Sequence, residues 1–174
     1  TIPGSIGGNI FMNAGCYGNE IKDKLISVIY YDMKRSKICE ISAQDINFEY
    51  RKGFQNPNTL ILYGKFKLKI GDQAVIKNLM KENEFKRNLT QPQKVNCCGS
   101  IFKNPSNQNA WKLIKTSLDD SFYAGPIKLS LKHANFFEND SNISADLIEN
   151  FIKIIQKKVE EKHNILLERE LQIV

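Results

Sequence analysis

Five of the ten glycines lie within the first twenty residues, at positions 4, 7, 8, 15 and 18. Glycine is the residue of tight turns and of close backbone approaches. The series Pro3-Gly4-Ser5-Ile6-Gly7-Gly8-Asn9 therefore presents backbone N–H groups with little side-chain obstruction. Such a loop either cradles a phosphate or pyrophosphate or forms a set of tight turns. It is not a Walker loop, since no Gly-Lys-Ser/Thr follows, and it lacks the G-x-G-x-x-G dinucleotide spacing. Residues Asn9 to Ala14 are expected to form a short helical turn behind it.

A second loop is compressed into Cys98-Gly99-Ser100-Ile101-Phe102-Lys103-Asn104-Pro105. Pro105 drives Asn104 towards an extended conformation and ends any strand begun at Ile101 and Phe102. Ser100 is then held at a bend, with Lys103 and Asn104 within reach of a polar or anionic ligand. Between the two loops, Tyr50-Arg51 places an aromatic ring beside a guanidinium that never loses its charge and forks around carboxylates and phosphates. The plain alternatives are a turn entering a short strand and a surface arginine.

With 174 residues, the chain has room for one ordinary domain or two small ones with real cores. A charged content of 25% and a hydrophobic content of 41% describe a globular chain. No apolar run approaches the roughly 20 residues of a membrane span. Cys16, Cys39, Cys97 and Cys98 lack metal-site spacing, and adjacent cysteines bridge only with strain, so reduced thiols in a cytoplasm are expected. The net charge of +6 is scattered, without a basic stripe or a reading motif, which argues for anionic small molecules over nucleic acid. The chain starts at Thr1 directly in a glycine-rich motif, as a chain with a preceding segment would.

Periodicity predicts a hairpin of Leu25–Met33 with Ile38–Ile41, and a long strand over Thr59–Ile70. A helix is expected over Gln73–Leu89, with Val75, Ile76, Leu79 and Met80 as its apolar stripe. A domain boundary is placed near residue 90, giving domains 1–90 and 91–174. Further on come a helix over Trp111–Leu118, strands over Ile127–Leu131 and Lys132–Phe137, a helix over Ser144–His163 and a closing strand over Ile165–Ile173. His133 reads as a hydrogen-bonded structural residue more readily than as an acid or ligand, and no second His stands near it to make a metal site.

Taken in order, Ile2-Pro3-Gly4-Ser5-Ile6-Gly7-Gly8, Met12-Asn13-Ala14-Gly15, Tyr50-Arg51, the Cys98–Pro105 loop, Lys132-His133-Ala134-Asn135-Phe136 and Leu167-Glu168-Arg169-Glu170 resemble the UDP-N-acetylenolpyruvoylglucosamine reductase family, in its shorter form. The resemblance runs nearly end to end. It implies an α+β architecture: the C-terminal part of an FAD-binding, PCMH-like domain, followed by a small α+β substrate-binding domain. It also implies a reaction. NADPH reduces FAD, hydride passes to C3 of the enolpyruvyl group of a UDP-sugar, and C2 takes a proton to give UDP-N-acetylmuramate. Ser100 matches the family's proton donor. Arg51 and Glu170 match the groups that stabilise the enolate, the carboxyl being useful there when it carries a proton. Pro3, Gly4, Ser5, Gly7, Gly8, Asn13 and Gly15 match the flavin-contacting segment. Tyr17, Tyr50, Lys103 and Asn104 resemble positions near the nucleotide sugar.

The family also carries an N-terminal lobe bearing a second flavin-phosphate loop, so this sequence holds half of a flavin site. Three positions depart from the family pattern: Gly53 where Ser is usual, Gln172 where Arg is usual, and Asn9 where a small apolar residue is common. The expected protein is a cytoplasmic, monomeric reductase of peptidoglycan precursor synthesis, without nucleic-acid or membrane partners. The alternatives are a fragment that only binds the nucleotide sugar and another FAD-dependent oxidoreductase of the same wider fold.

Overall fold

A computed structural model describes residues 2–139 and 143–172. The chain divides into two compact units, Thr1–Met80 and Lys81–Val174, each with its own apolar core.

The first unit opens with helix α1 (Ile6–Phe11), earlier than the turn expected over Asn9–Ala14. Ser5 explains the shift, because its hydroxyl accepts the Gly8 N–H at 3.0 Å and caps the helix before the glycine pair. A two-residue hairpin, β1 (Gly15–Cys16) with β2 (Asn19–Glu20), follows. Its turn is Tyr17-Gly18, both at positive φ (52° and 76°), which matches the right-handed twist of the flanking strands.

Strands β3 (Leu25–Asp32), β4 (Lys37–Ser42) and β5 (Thr59–Phe66) form an antiparallel sheet in the order β4-β3-β5. The expected hairpin is present, and Asp32 fastens its turn by accepting the N–H groups of Lys34 and Arg35. β5 stops at Phe66 instead of Ile70: its pairing with β3 closes at Leu25–Phe66, and one further backbone bond, Lys67 N–H to Lys24 O at 2.8 Å, follows it. Ile10, Leu25, Val28 and Phe54 fill the core between α1 and this sheet.

Helix α2 (Gln73–Thr90) carries the chain from the first unit into the second. Asp72 begins it by accepting from Ala74 and Val75 N–H. Its apolar stripe is present but uncovered: Val75, Ile76, Leu79 and Met80 are all exposed, and no residue of the helix is buried.

In the second unit, α3 (Ala110–Ser117) and α4 (Ala145–His163) pack around Ile114, Ile152, Ile155 and Val159, all fully buried. Ser144 stands at the N-cap position of α4, as expected, and Asn164 ends the helix in the left-handed region at φ 55°. Between α3 and α4 lies a short antiparallel pair, β6 (Ile127–Leu129) with β7 (Phe137–Asn139).

Two strand expectations are corrected here. Lys132–Phe136 is a looped turn, closed by Ser130 N–H to Phe136 O at 2.8 Å and by Phe136 N–H to His133 O at 2.9 Å. Local hydrogen bonds from Ser130 and His133 out-compete a ladder over those residues. The closing segment makes one isolated bridge, Phe102 with Arg169, and no longer strand among the described residues; Ile173 lies outside them. Its partner is too short to extend the pairing, since Pro105 lacks an N–H and the chain turns away after Asn104.

Candidate active site

The site residues expected from sequence fall into two groups, one in each unit. In the first unit the organiser is Asn13, which is fully buried at φ 45°. Its Nδ2 donates to Glu20 Oε2 at 2.9 Å and to Glu49 O at 3.0 Å, and its Oδ1 accepts the Lys22 N–H at 3.4 Å. One amide thus ties the end of α1, the β1–β2 hairpin and the Glu49–Lys52 turn together. Glu20 is held below the ordinary carboxylate range by the Lys22 ammonium, then by Asn13, with the Arg51 charge adding to them against partial burial.

Arg51 sits in that turn with positive φ (57°), its guanidinium 4.7 Å from the Tyr50 ring centroid. Its Nη2 donates to Gly15 O at 3.0 Å. The structure therefore brings Asn13, Gly15, Tyr50 and Arg51 into one cluster. Tyr17 is half exposed at the hairpin tip of the same cluster.

Gly53, two residues after Arg51, is buried and donates its N–H to Phe11 O at 2.9 Å. A Cβ there would lie 1.9 Å from Ile10 O, so this backbone leaves no room for a side chain at residue 53. Pro3, Gly4, Ser5 and Gly8 are exposed. Gly7 is half-buried, and a Cβ added to it would stand 3.7 Å from Ile61, an ordinary contact.

The second unit holds Ser100, Lys103, Asn104 and Glu170. Ile101 and Phe102 are buried core residues, and Ser100 immediately precedes them at the surface of that core. Glu170 N–H donates to Ile101 O at 2.8 Å, and Lys103 N–H donates to Glu168 O at 2.9 Å. These bonds bring the Ser100 loop and the Glu170 segment side by side. The Glu170 charge also reaches Cys98, an exposed residue whose thiol is still pushed up to about 11, chiefly by partial loss of solvent around it, then by Cys97 and last by Glu170.

Lys103 Nζ pairs with Glu168 Oε1 at 2.5 Å. Asn104 Oδ1 accepts the Ala110 N–H at 3.0 Å, so this side chain caps the start of α3. His133 is a packed structural residue: its ring meets Phe136 edge-on with centroids 4.9 Å apart and lies tilted 6.2 Å from Trp111. Burial holds its pKa below the ordinary 6.5. Among the described residues no three His, Cys, Asp or Glu side chains converge as metal ligands, and no helix is long and apolar enough to cross a membrane.

Sequence reasoning misses Glu20, which carries no motif signal and whose role depends on a residue outside its own hairpin. It places Asn135 in the Lys132–Phe136 motif as a structural or substrate-lining residue, and its amide grips Phe102 from 33 residues away.

Comparison with known proteins turns this geometry into kinship. Residues 91–174 match the model of the UDP-N-acetylenolpyruvoylglucosamine reductase C-terminal domain. The reductase of that name from Oceanobacillus iheyensis is 39% identical over 174 residues, covering 99% of this chain and 56% of that protein. Residues 91–174 belong to the family of the UDP-N-acetylenolpyruvoylglucosamine reductase C-terminal domain, and the chain resembles those reductases along nearly its whole length. The Pelagibacter ubique reductase is 37% identical, with 99% of this chain and 58% of that protein covered. The crystal structure of the reductase from Thermus caldophilus superposes with a TM-score of 0.82 at 27% identity, over 98% of this chain and 60% of that one. The chain thus spans somewhat over half the length of the family members it matches. The mixed helix and sheet content of both units is that of an α+β protein.

Proposed function

We propose that the protein carrying this chain is a cytoplasmic FAD-dependent reductase of peptidoglycan precursor synthesis. It would use NADPH to convert the enolpyruvyl ether of UDP-N-acetylglucosamine to UDP-N-acetylmuramate. On this reading residues 1–90 are part of an FAD-binding domain and residues 91–174 bind the nucleotide sugar. What supports the reading most is that a chain 39% identical over nearly its whole length to named reductases also ties its Ser100 loop to its Glu170 segment through Glu170 N–H to Ile101 O.

The residues of the first unit fit a flavin. Gly4 has positive φ (121°) with nothing within 4 Å of where a Cβ would stand, so a bound group can reach the main chain there. Pro3, Gly4, Ser5, Gly7, Gly8 and Gly15 would hold it, with Asn13 fixing the loop from beneath. Bound FAD would supply hydride transfer from NADPH to C3 of the enolpyruvyl group.

The chain's own residues would do the rest. Ser100 delivers a proton to C2, a task for which a neutral hydroxyl needs fixed geometry and electrostatic help. Arg51 would stabilise the negative charge that develops on the carboxylate side of the substrate by its fixed positive charge, and Glu170 would do so as a hydrogen-bond donor when its carboxyl carries the proton. Tyr17, Tyr50, Lys103 and Asn104 line the sugar-nucleotide side, Lys103 balanced by Glu168 and Asn104 acting through the α3 cap.

Replacing Ser100 tests the assignment. Ser100→Ala in the flavin-loaded full protein should lower kcat by roughly 10²–10⁴-fold, the usual range for losing a general acid, with little change in substrate KM. An alanine variant as fast as the parent removes Ser100 from the role.

A further inference from the structure

Asn135 is 3% exposed, and its side chain takes the place of a neighbouring strand. Oδ1 accepts the Phe102 N–H at 3.0 Å and Nδ2 donates to Phe102 O at 2.7 Å. The backbone carbonyl of Asn135 accepts the Ile101 N–H at 2.8 Å. On the opposite edge, Ile101 O takes the Glu170 N–H and Lys103 N–H reaches Glu168 O. Ile101–Phe102 is therefore gripped on both edges, by the 168–170 segment and by one residue.

A primary amide carries both a donor and an acceptor, so it can satisfy both backbone groups of a single residue; an Asp lacks the donor and a Leu lacks both. Asn135 is itself oriented, since its own N–H donates to His133 Nδ1 at 3.3 Å and that ring is packed on Phe136 and Trp111.

We propose that Asn135 is a positioning residue for the Ser100 hydroxyl: its amide fixes the register of Ile101–Phe102, which sets Ser100 beside the Glu170 segment. The proposal rests on the reading that Ser100 donates the proton. Removing the amide orphans two buried backbone groups, and the Ser100 loop relaxes to find other partners. A displacement of about 1 Å at a reacting group costs on the order of 10²-fold in rate. Flavin reduction by NADPH does not use Ser100, so it keeps its rate.

The test uses Asn135→Leu and the milder Asn135→Asp, which keeps the acceptor for Phe102 N–H, in the full flavin-loaded protein. Val159→Ala, a core change that removes none of these hydrogen bonds, is the control. Flavin reduction by NADPH and flavin reoxidation by the enolpyruvyl ether are timed separately. Hydrogen exchange of peptides covering residues 97–105 is followed by mass spectrometry.

Asn135→Leu should reduce at the parent rate, reoxidise roughly 10²-fold more slowly, and exchange faster at Ile101 and Phe102. Asn135→Asp should fall between it and the parent. Val159→Ala should leave the ratio of the two rates and the exchange of 97–105 unchanged. Equal slowing of both half-reactions, or unaltered exchange in 97–105, overturns the proposal. A parent protein that never consumes the enolpyruvyl ether overturns the function reading instead, and the exchange measurement then decides the Asn135 claim by itself.

Discussion

Gly53 offers the sharpest perturbation of the Arg51 cluster. In Gly53→Ala the new Cβ would stand 1.9 Å from Ile10 O, and 3.0 Å from Asn13 N. Both are backbone atoms, so no side-chain rotation relieves the overlap. Moving the carbonyl out to 3.0 Å requires a shift of at least about 1.1 Å. A shift of that size breaks Gly53 N–H to Phe11 O at 2.9 Å and Phe54 N–H to Ile10 O at 3.3 Å. Two buried groups left without partners cost roughly 1–3 kcal/mol each, so the expected loss is about 2–6 kcal/mol. Gly71→Ala is the control: its Cβ would meet only the flexible tip of Ile76 at 3.3 Å, and stability should stay within about 1 kcal/mol of the parent. Urea unfolding followed by circular dichroism gives both values, and hydrogen exchange over residues 9–16 localises the damage. A loss below about 1 kcal/mol for Gly53→Ala would refute the claim that α1 and the Tyr50-Arg51 turn are locked together at this point.

Two titratable groups add predictions. His133 is half-buried in its neutral form, with a folded pKa below the ordinary 6.5. Below pH 6.5 the unfolded chain takes up a proton that the folded chain refuses, so stability falls as pH drops from there towards the folded pKa, by at most about 1.4 kcal/mol per pH unit. His133→Phe should keep the ring contacts with Trp111 and Phe136 and flatten the melting temperature between pH 7 and pH 5; identical slopes in the two proteins would contradict the burial argument. Cys98, raised from 9.0 to about 11, holds about 100-fold less thiolate near neutral pH than an unshifted thiol. Iodoacetamide can reach this exposed residue and should label it more slowly than a cysteine peptide, read by mass spectrometry; equal labelling would contradict the raised thiol.

Legibility in the sequence follows the range of the interactions involved. α4 is readable because its apolar spacing, first-turn Asp146 and last-turn Lys162 are all local signals. The β3–β4 hairpin is readable for the same reason. Strand ends are not, because where β5 stops and how far the Arg169 bridge extends depend on partners distant in sequence. The stripe of α2 is plain as a pattern, but a pattern does not say whether anything covers it. In the site, the Ser100 loop and Glu170 follow from motif order. The Asn13 network does not, since it joins residues 36 apart in sequence. A buried asparagine holding a distant backbone looks, in a sequence, like any other asparagine, which is why the roles of Asn13 and Asn135 emerge only in three dimensions.

The most direct test of the account is NADPH consumption by the flavin-loaded full protein, with and without the enolpyruvyl ether of UDP-N-acetylglucosamine. The account predicts consumption that depends on the ether and matches UDP-N-acetylmuramate formed, mole for mole. NADPH oxidised equally fast without the ether, or an ether that binds and is never reduced, would contradict it.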